Sequence, residues 1–217
     1  MSSGKFASLN LSARVGDDAD CVARNRAVLR ACLPEEPTWM KQVHGTTVID
    51  VAGAAREAEA DGAVTRRPSR VCTVTTADCL PVFLSERTGR VAGVAHAGWR
   101  GLAGGIVENT VRAMGMPPGD LIAYIGPGIG ADRYEVGEEV REAFVGKDPG
   151  AGAFFAPAEV GKYFADLYGL ARRYLAAAGV SGVFGGGFCT ARDERFFSYR
   201  RDRTTGRMAS LIWLEDD

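Results

Sequence analysis

Short runs of hydrophobic residues, separated by glycine, proline and charged positions, predict a mixed α/β fold for this chain. Apolar runs rich in β-branched residues predict strands, because such side chains pack well on a pleated surface. These predicted strands cover residues 71–76, 80–84, 90–95 and 120–125. Apolar residues at helical spacing predict amphipathic helices. The predicted helices cover residues 18–33, 102–114, 137–144 and 162–178.

Turn-forming residues predict two hairpins in the remaining segments. The β-rich runs 39–43 and 46–51 lie on either side of His44-Gly45, which predicts a hairpin or bent strand with the imidazole near its turn. The segments 196–200 and 207–214 flank a Thr-Thr-Gly turn signal and predict a second, antiparallel pair.

The pattern as a whole indicates one domain over residues 1–217, with a mixed sheet and flanking helices. No internal repeat, low-complexity linker or break in composition divides the chain, and 217 residues are enough to bury a substantial core. The order of strands and helices predicts at least one strand-to-helix crossover. Residues 8–11 predict a further short strand, and Pro81 predicts an edge strand or a break in the ladder.

Composition and charge exclude several classes of function. A formal net charge of −1 provides no electrostatic footprint for nucleic acid or for a membrane surface. No segment approaches the ~20 apolar residues of a membrane-spanning helix, and the N-terminus lacks the apolar core of a signal peptide. Five cysteines form an odd count without a CxxC pair, which is typical of reduced thiols. The chain is therefore expected to be cytoplasmic, and its oligomeric state is left open.

The two histidines of the chain, His44 and His96, both lie in glycine-flanked segments, and Cys79 lies between them at the end of an apolar run. All three follow predicted strands or turns, where their side chains can converge at one rim of a sheet. Two imidazoles and one thiolate suit a catalytic zinc with an open position, which favours a hydrolytic or group-transfer metalloenzyme. The spacing alone leaves two alternatives: a core thiol with two loop histidines, or a cysteine nucleophile with a histidine base and Asp78 as its orienting partner.

The segment that follows His96 predicts a candidate anion site. A strand delivers His96, a glycine-rich turn comes next, and a helix starts there, so free backbone N–H groups and the helix dipole face the turn. Arg100 lies in this turn and is either a clamp for phosphate or carboxylate or a charge on the helix surface. The roles of Tyr199 and Arg200 are also left open between a site residue and a surface residue. Side chains along a strand alternate between its two faces, so only half of them point to one face.

Several motifs of the chain, taken together and in order, resemble those of the YfiH family. They are SLNL, VGDD, KQVHG, TADCLPV, AHAGWRGL, IGPGIG, YEVGEEV, FFSYRRD and TGRMASLIWL, spread over residues 8–214. Members of this family are also described as laccase-domain proteins, multicopper polyphenol oxidases, peptidoglycan editing factors and purine nucleoside phosphorylases. The resemblance implies one α/β domain and a zinc ion bound by His44, Cys79 and His96, a set that copper could also occupy.

The activities described for this family imply a function as well. The leading expectation is a zinc enzyme that phosphorolyses adenosine, inosine or methylthioadenosine and deaminates adenosine, with phosphate bound near Arg100. The alternatives are removal of L-serine from UDP-MurNAc-L-Ser, copper-dependent polyphenol oxidation, and metal-stabilised binding without turnover. The candidate catalytic residues are Asp78, as a base or an orienting group, Arg100 and Gln42. The candidate substrate-binding residues are Asn10, Tyr199 and Arg200.

The chain departs from the family pattern at two places. Family chains typically begin earlier, with a strand that ends in an Arg-x-Gly-Gly stretch, so an edge strand and a candidate anion-binding arginine are expected to be missing here. Many relatives carry cysteines after the IGPxIG motif, where this chain has Ala131-Asp132-Arg133. No metal or redox role is therefore expected at that position.

Overall fold

The structure is a computed structural model that describes residues 1–55 and 57–215. Within these ranges the strands are β1 (Val48–Asp50), β2 (Gly62–Thr65), β3 (Cys72–Thr76), β4 (Leu80–Glu86), β5 (Ala92–Ala97), β6 (Leu121–Ile125), β7 (Glu135–Gly137), β8 (Phe155–Pro157), β9 (Lys162–Ala165), β10 (Gly182–Gly185) and β11 (Met208–Ile212). The α-helices are α1 (Ala19–Arg30), α2 (Trp99–Gly104), α3 (Ile106–Met114), α4 (Glu138–Val145), α5 (Leu167–Ala177) and α6 (Tyr199–Asp202). None of the helices in this described part is long and apolar enough to cross a bilayer.

Six strands form the central sheet, in the order β1-β2-β5-β4-β6-β10. The inner pairs β2–β5, β5–β4 and β4–β6 are antiparallel. The two edge pairs, β1–β2 and β6–β10, are parallel. Strands β3 and β11 form a separate antiparallel pair, and β7, β9 and β8 form a third small sheet. The predicted mixed sheet with flanking helices is therefore confirmed.

Alternation along β5 separates two apolar clusters and places His96 between the layers. Ala95 and Ala97 belong to the larger cluster, which the central sheet forms with α3, α4 and α5. Val94 belongs to a smaller cluster, which includes Val74 of β3. Because residues two apart in a strand share a face, His96 lies on the same side as Val94, at the end of β5 that faces β3. His96 is consequently only 3% exposed.

Strands β3 and β4 follow each other in sequence but belong to different sheets. The chain turns between them at Asp78, whose φ of 89° lies in the left-handed region and interrupts the extended backbone. The break therefore lies at Asp78, and the prediction of an edge or a break at Pro81 is wrong, because β4 is an inner strand between β5 and β6. Pro81 is tolerated because the pairing of β4 with β6 starts only at Val82.

Glycine and aspartate set the ends of the helices around the sheet. The predicted first helix is confirmed, and the Asp18 carboxylate caps it by accepting a hydrogen bond from the backbone N–H of Cys21 at 2.9 Å. The helix predicted over 102–114 is instead two helices, α2 and α3. Gly105 separates them with a φ of 106°, a conformation that other residues rarely adopt.

The long helix predicted over 162–178 starts later than expected. Residues 162–165 form strand β9, which pairs with β7 and β8. Helix α5 begins at Leu167, after Asp166 accepts a hydrogen bond from the backbone N–H of Gly169. Phe164 fits the helical spacing of the residues that follow, yet tertiary pairing overrides this local pattern.

Both predicted hairpins are wrong. Strand β1 pairs in parallel with β2, not with residues 39–43. At the C-terminus, residues 199–202 form the short helix α6, and β11 pairs with β3. The Ser198 hydroxyl caps α6 by accepting a hydrogen bond from the N–H of Arg201 at 3.2 Å, which stops the chain from continuing as a strand.

The short strand predicted over residues 8–11 is wrong as well, because this segment consists of turns and coil. The Asn10 amide oxygen accepts hydrogen bonds from the backbone N–H of Ser12 at 3.1 Å and of Arg207 at 2.9 Å. Side-chain hydrogen bonds of this kind compete with strand pairing. The N-terminal segment is thereby tied to the start of β11.

Candidate metal and substrate site

A cavity of about 560 Å³ opens where the His44 loop, the turn between β3 and β4, and the end of β5 meet. This volume lies within the range of pockets that hold small molecules. All three candidate metal ligands line the cavity. Within residues 1–55 and 57–215, its other charged and aromatic lining residues are Arg14, Arg26, Trp39, Glu57, Asp78, Trp99, Arg100, Tyr134, Tyr199, Arg200 and Arg207.

His44, Cys79 and His96 converge although they come from three separate segments. Their ligand atoms all lie within 4.8 Å of one another. Cys79 Sγ is 3.9 Å from His44 Nε2, and the two imidazole rings meet edge to face with their centroids 4.7 Å apart. His44 has a φ of 60°, a left-handed conformation at the tip of its loop. The structure thus brings together the three residues that the sequence singled out.

The Asp61 carboxylate, which precedes β2, holds both histidines in place. It is completely buried, and its Oδ1 lies 2.8 Å from His96 Nδ1. The same carboxylate accepts hydrogen bonds from the backbone N–H groups of Val43, His44 and Gly45 at 3.1, 3.0 and 2.7 Å. A carboxylate on Nδ1 fixes the ring and leaves Nε2 free to bind a metal. Asp61 therefore shapes the His44 loop and orients His96 at once.

The donor set fits a tetrahedral metal ion. Metal–sulfur bonds of about 2.3 Å and metal–nitrogen bonds of about 2.0 Å place ligand atoms roughly 3.5 Å apart, so the observed separations need only a small contraction. Gly98 leaves the room for it, since a Cβ at this position would lie 2.8 Å from Cys79 Sγ and 2.9 Å from His44 Cδ2. Within the described residues the group contains three ligand atoms and lines the cavity, so a bound ion would have a position available to substrate or water.

The thiol and the imidazole shift each other's protonation. Burial raises the pKa of Cys79, but the charge of His96 and the hydrogen bond with His44 outweigh it and lower the pKa to about 6. Burial lowers the pKa of His96, whereas the Cys79 thiolate and Asp61 raise it, with a net result of about 9. A thiolate beside an imidazolium is therefore favoured at neutral pH when no metal is bound, and a metal cation would take the place of the proton.

This pairing predicts the reactivity of the thiols. In metal-free protein at pH 7, Cys79 should react with iodoacetamide faster than the exposed Cys32, because the thiolate is the nucleophile. It should react far faster than Cys72, because burial raises the pKa of that thiol. Zinc should protect Cys79 and leave Cys32 unprotected. Peptide mass spectrometry over a time course measures the three rates, and a Cys79 no faster than buried Cys72 would contradict the thiolate assignment.

Asp78 and Gln42 line the cavity, but hydrogen bonds to the protein occupy both side chains. Asp78 Oδ1 accepts from the hydroxyls of Thr190 at 2.6 Å and Ser198 at 2.7 Å, and its Oδ2 accepts from the backbone N–H of Arg200 at 2.6 Å. Gln42 Nε2 donates to the Thr75 carbonyl at 3.0 Å, and its Oε1 accepts from the Thr75 N–H and hydroxyl, both at 2.8 Å. Their contacts orient the neighbouring chain segments.

Asn10 lies behind the cavity wall and does not line it. Its side chain is fully buried, and its amide nitrogen donates to the Ser12 carbonyl and to Asp17 Oδ2. Its amide oxygen holds the backbone of Arg207, which does line the cavity. Burial lowers the pKa of Arg207, whereas Cys79 and Asp78 act in the opposite direction.

Arg100, Tyr199 and Arg200 lie in the cavity in three different settings. The Arg100 guanidinium stacks over the Trp99 ring at 4.4 Å and makes no hydrogen bond to the described part of the protein. Tyr199 is 50% exposed at the start of α6. Arg200 donates through Nη1 to the Glu135 carbonyl at 2.8 Å, and its guanidinium lies 5.0 Å from the centre of the Tyr134 ring.

Sequence reasoning missed several residues of this site. The sequence pattern assigns no role to Asp61, although an acid directly before the buried run Gly62–Thr65 is a signal for an inward-facing carboxylate. Tyr134 follows the glycine-rich segment after β6, yet no local pattern sends its ring into the cavity. Arg26 and Trp39, stacked at 3.8 Å, come from α1 and the following loop, where helix spacing gives no indication of a pocket.

The fold and the donor set together define a class: an α/β protein with two imidazoles and one thiolate at the floor of an open cavity. The chain belongs to the family described as multi-copper polyphenol oxidoreductase laccase, whose family model matches residues 1–215. Relatives named YfiH confirm the resemblance of the motifs to the YfiH family.

The chain is 48% identical over 218 residues to a purine nucleoside phosphorylase of Pseudomonas aeruginosa, a match that covers 100% of this chain and 90% of the relative. It is 49% identical over 213 residues to the purine nucleoside phosphorylase YfiH of Escherichia coli, covering 96% of this chain and 87% of that protein. Among solved structures, the Neisseria meningitidis protein NMB0706 superposes with a TM-score of 0.96 at 47% identity. That match covers 100% of this chain and 90% of the other.

Proposed function

We propose that this chain is a cytoplasmic, zinc-dependent enzyme that transfers the ribosyl group of purine nucleosides to phosphate and also deaminates adenosine. The observation that carries the proposal is the three-ligand group His44, Cys79 and His96 on the floor of an arginine-lined cavity. The relatives named purine nucleoside phosphorylase support this substrate class. Inosine, adenosine and methylthioadenosine share the purine riboside unit that such a cavity would bind.

Zinc is the metal that this donor set favours. Two imidazole nitrogens and one thiolate suit its tetrahedral preference, and an open fourth position is typical of catalytic zinc. Bound there, zinc would act as a Lewis acid toward a substrate oxygen or water. The multi-copper chemistry in the family's description needs further histidine ligands, and this chain contains only two histidines, both in this group.

The arginines of the cavity favour an anionic co-substrate. The Arg100 guanidinium has no hydrogen-bond partner in the described residues and is available to bind two oxygens of a phosphate in a bidentate manner. Arg207 donates through Nη1 to the carbonyls of Thr205 and Gly206 at 3.0 and 2.9 Å, which fixes its guanidinium in the wall. Phosphorolysis needs phosphate held against the ribose, where one of its oxygens forms the new bond to C1′ as the bond from C1′ to the purine breaks.

The other candidate residues have positioning roles in this proposal. Gln42 clamps Thr75 at the end of β3 and so aligns the His44 loop with that strand. Asp78 orders the segment that carries Tyr199 and Arg200. The half-exposed Tyr199 ring lies where it can pack against a nucleoside.

Incubation of the zinc-loaded protein with inosine and phosphate should yield hypoxanthine and ribose-1-phosphate in equal amounts, measured by liquid chromatography. Release should require phosphate. His44→Ala and Cys79→Ala should abolish it, because each removes a ligand, whereas Cys32→Ala, at an exposed thiol away from the cavity, should leave it unchanged. The proposal fails if the wild type releases no base, or if both ligand variants release it normally.

A second candidate activity is removal of L-serine from UDP-MurNAc-L-Ser. The observation in its favour is the number of cationic side chains around the cavity, since this substrate carries a diphosphate and a carboxylate. It predicts free serine as the product. Direct competition between this substrate and inosine separates the two activities. A non-catalytic binding protein predicts turnover of neither substrate and a metal whose every position is filled by protein atoms.

A further inference from the structure

Tyr134 lines the same cavity as the candidate metal ligands and has a free hydroxyl. Its backbone is fixed on both sides: its N–H donates to the Ala131 carbonyl at 3.2 Å, and its carbonyl accepts from the N–H of Ala165 at 3.0 Å. The hydroxyl makes no hydrogen bond to any of residues 1–55 or 57–215. A phenol held rigidly in a cavity without a protein partner is available to donate its proton to a ligand.

Arg200 holds the position of the Tyr134 ring. Its Nη1 donates to the carbonyls of Glu135 at 2.8 Å and Arg133 at 3.4 Å, the two residues that flank Tyr134. The guanidinium carbon lies 5.0 Å from the ring centre. The backbone N–H of Arg200 is in turn bound to Asp78 Oδ2 at 2.6 Å. A continuous set of contacts therefore runs from Asp78, beside the metal ligand Cys79, to the phenol.

We propose that Tyr134 is a catalytic residue whose hydroxyl donates a proton to N7 of the purine leaving group, and that Asp78 and Arg200 are its positioning residues. This inference rests on the proposed phosphorolysis. Breaking the bond between C1′ and the purine leaves an electron pair on the base, and a proton at N7 neutralises it. The Thr75 hydroxyl also lines the cavity, but it donates its proton to Gln42 Oε1 and is therefore not available to a ligand.

The proton balance of the step closes without a further reactant. The electron pair of the broken bond goes to the purine, which takes the proton of Tyr134 and leaves as a neutral base. The attacking hydrogen phosphate forms a bond from its oxygen to C1′ and becomes a hydrogen phosphate ester. This ester returns its proton to the phenolate, which restores Tyr134 and gives ribose-1-phosphate.

The surroundings of Tyr134 suit this exchange. Burial raises the pKa of Tyr134 above its usual value, so the phenol carries its proton when the substrate binds. Arg200 and Arg100 act in the opposite direction on the same pKa. Their charges would stabilise the phenolate that exists between the two proton transfers.

Tyr134→Phe, which removes only the hydroxyl, tests the assignment with two substrates. With inosine and phosphate, kcat should fall by about 100-fold while KM stays within about twofold, because the hydroxyl acts on the leaving group. 7-Methylinosine already carries a positive charge on its purine and needs no proton to leave. The variant should therefore cleave 7-methylinosine at nearly the wild-type rate, a selectivity that a merely structural role would not produce.

Tyr124→Phe is the matched control, because Tyr124 lies on β6, is 47% exposed and does not line the cavity. It should cleave both substrates like the wild type. An equal loss on both substrates in Tyr134→Phe, or no loss on inosine, overturns the assignment while leaving the phosphorolysis intact. A wild type that releases base from neither substrate instead defeats the proposed function itself.

Discussion

Asp61→Asn is expected to reduce metal affinity by about 10- to 100-fold and to destabilise the metal-free protein by about 2–4 kcal/mol. The buried carboxylate accepts four hydrogen bonds, three from backbone N–H groups and one from the His96 imidazole. Asparagine has nearly the same volume as aspartate, but its NH₂ group would face some of these N–H donors. The negative charge that strengthens the hydrogen bonds would also be lost. Both the His44 loop and the His96 ring then lose their fixed position.

Two measurements separate these effects. Chemical unfolding in the presence of a chelator gives the free energy of unfolding without a metal contribution, and competition with a chromogenic chelator gives the zinc affinity. Asp50→Asn is a matched control, since Asp50 is exposed and pairs with Arg66 at 3.1 Å on the surface, so its loss should change stability by less than about 1 kcal/mol. Unchanged zinc affinity in Asp61→Asn would contradict the role assigned to this carboxylate.

The lowered pKa of Asp61 also predicts how the stability of the fold changes in acid. Burial raises the pKa of Asp61, but the hydrogen bond and charge of His96 and the backbone N–H groups lower it below the model-peptide value of 3.8. A group whose pKa is depressed in the folded state contributes stability above its unfolded pKa and loses it as the pH falls through the folded value. Wild-type stability should therefore decline below about pH 4 more steeply than that of Asp61→Asn, as urea unfolding at several pH values would measure.

Gly98→Ala is expected to lower zinc affinity and catalytic rate by about 100-fold or more while the fold persists. The added Cβ would lie 2.8 Å from Cys79 Sγ and 2.9 Å from His44 Cδ2, closer than such atoms can approach. The backbone at Gly98 has φ −74° and ψ 163°, which alanine adopts without strain. The substitution should therefore displace two candidate metal ligands and leave the start of α2 in its conformation.

Circular dichroism and thermal unfolding of the metal-free variant check that the fold is retained, and titration with zinc measures the loss of affinity. Gly119→Ala provides the control, because nothing lies within 4 Å of a Cβ at that position and its φ is not left-handed. Wild-type zinc affinity in Gly98→Ala would mean that the ligands move aside without cost, and that the close approach of Gly98 is not needed for the site.

The convergence of His44, Cys79 and His96 could be predicted from the sequence because local patterns show where strands end. The run that ends at His96 and the run that ends before Cys79 are both apolar and bounded by turn residues, so their exits could be placed within a few residues. The resemblance of the motifs to a known family then implied that the same three residues bind zinc. These features depend on neighbours in the sequence.

The features that sequence reasoning missed depend on distant partners. The alternation on either side of His44 is the same for a hairpin and for the observed loop; what selects the loop is the Asp61 carboxylate, 16 to 18 residues further along the chain. Arg200 binds the carbonyls of Arg133 and Glu135, which flank Tyr134 and lie 67 and 65 residues earlier in the chain. No periodicity encodes such a contact. Which distant residues a side chain can reach is determined only when the sheets have assembled.

One carboxylate serving both the His44 loop and the His96 ring makes the two ligands thermodynamically interdependent. Whatever strengthens the hydrogen bonds of Asp61 to the loop also fixes the His96 imidazole, a candidate metal ligand, and the influence is reciprocal by the same factor. A substrate that orders the 43–45 loop must therefore bind more tightly to metal-loaded protein than to metal-free protein. By the same linkage, saturating substrate should raise the affinity of the site for the metal, so that a higher concentration of chelator is needed to remove it.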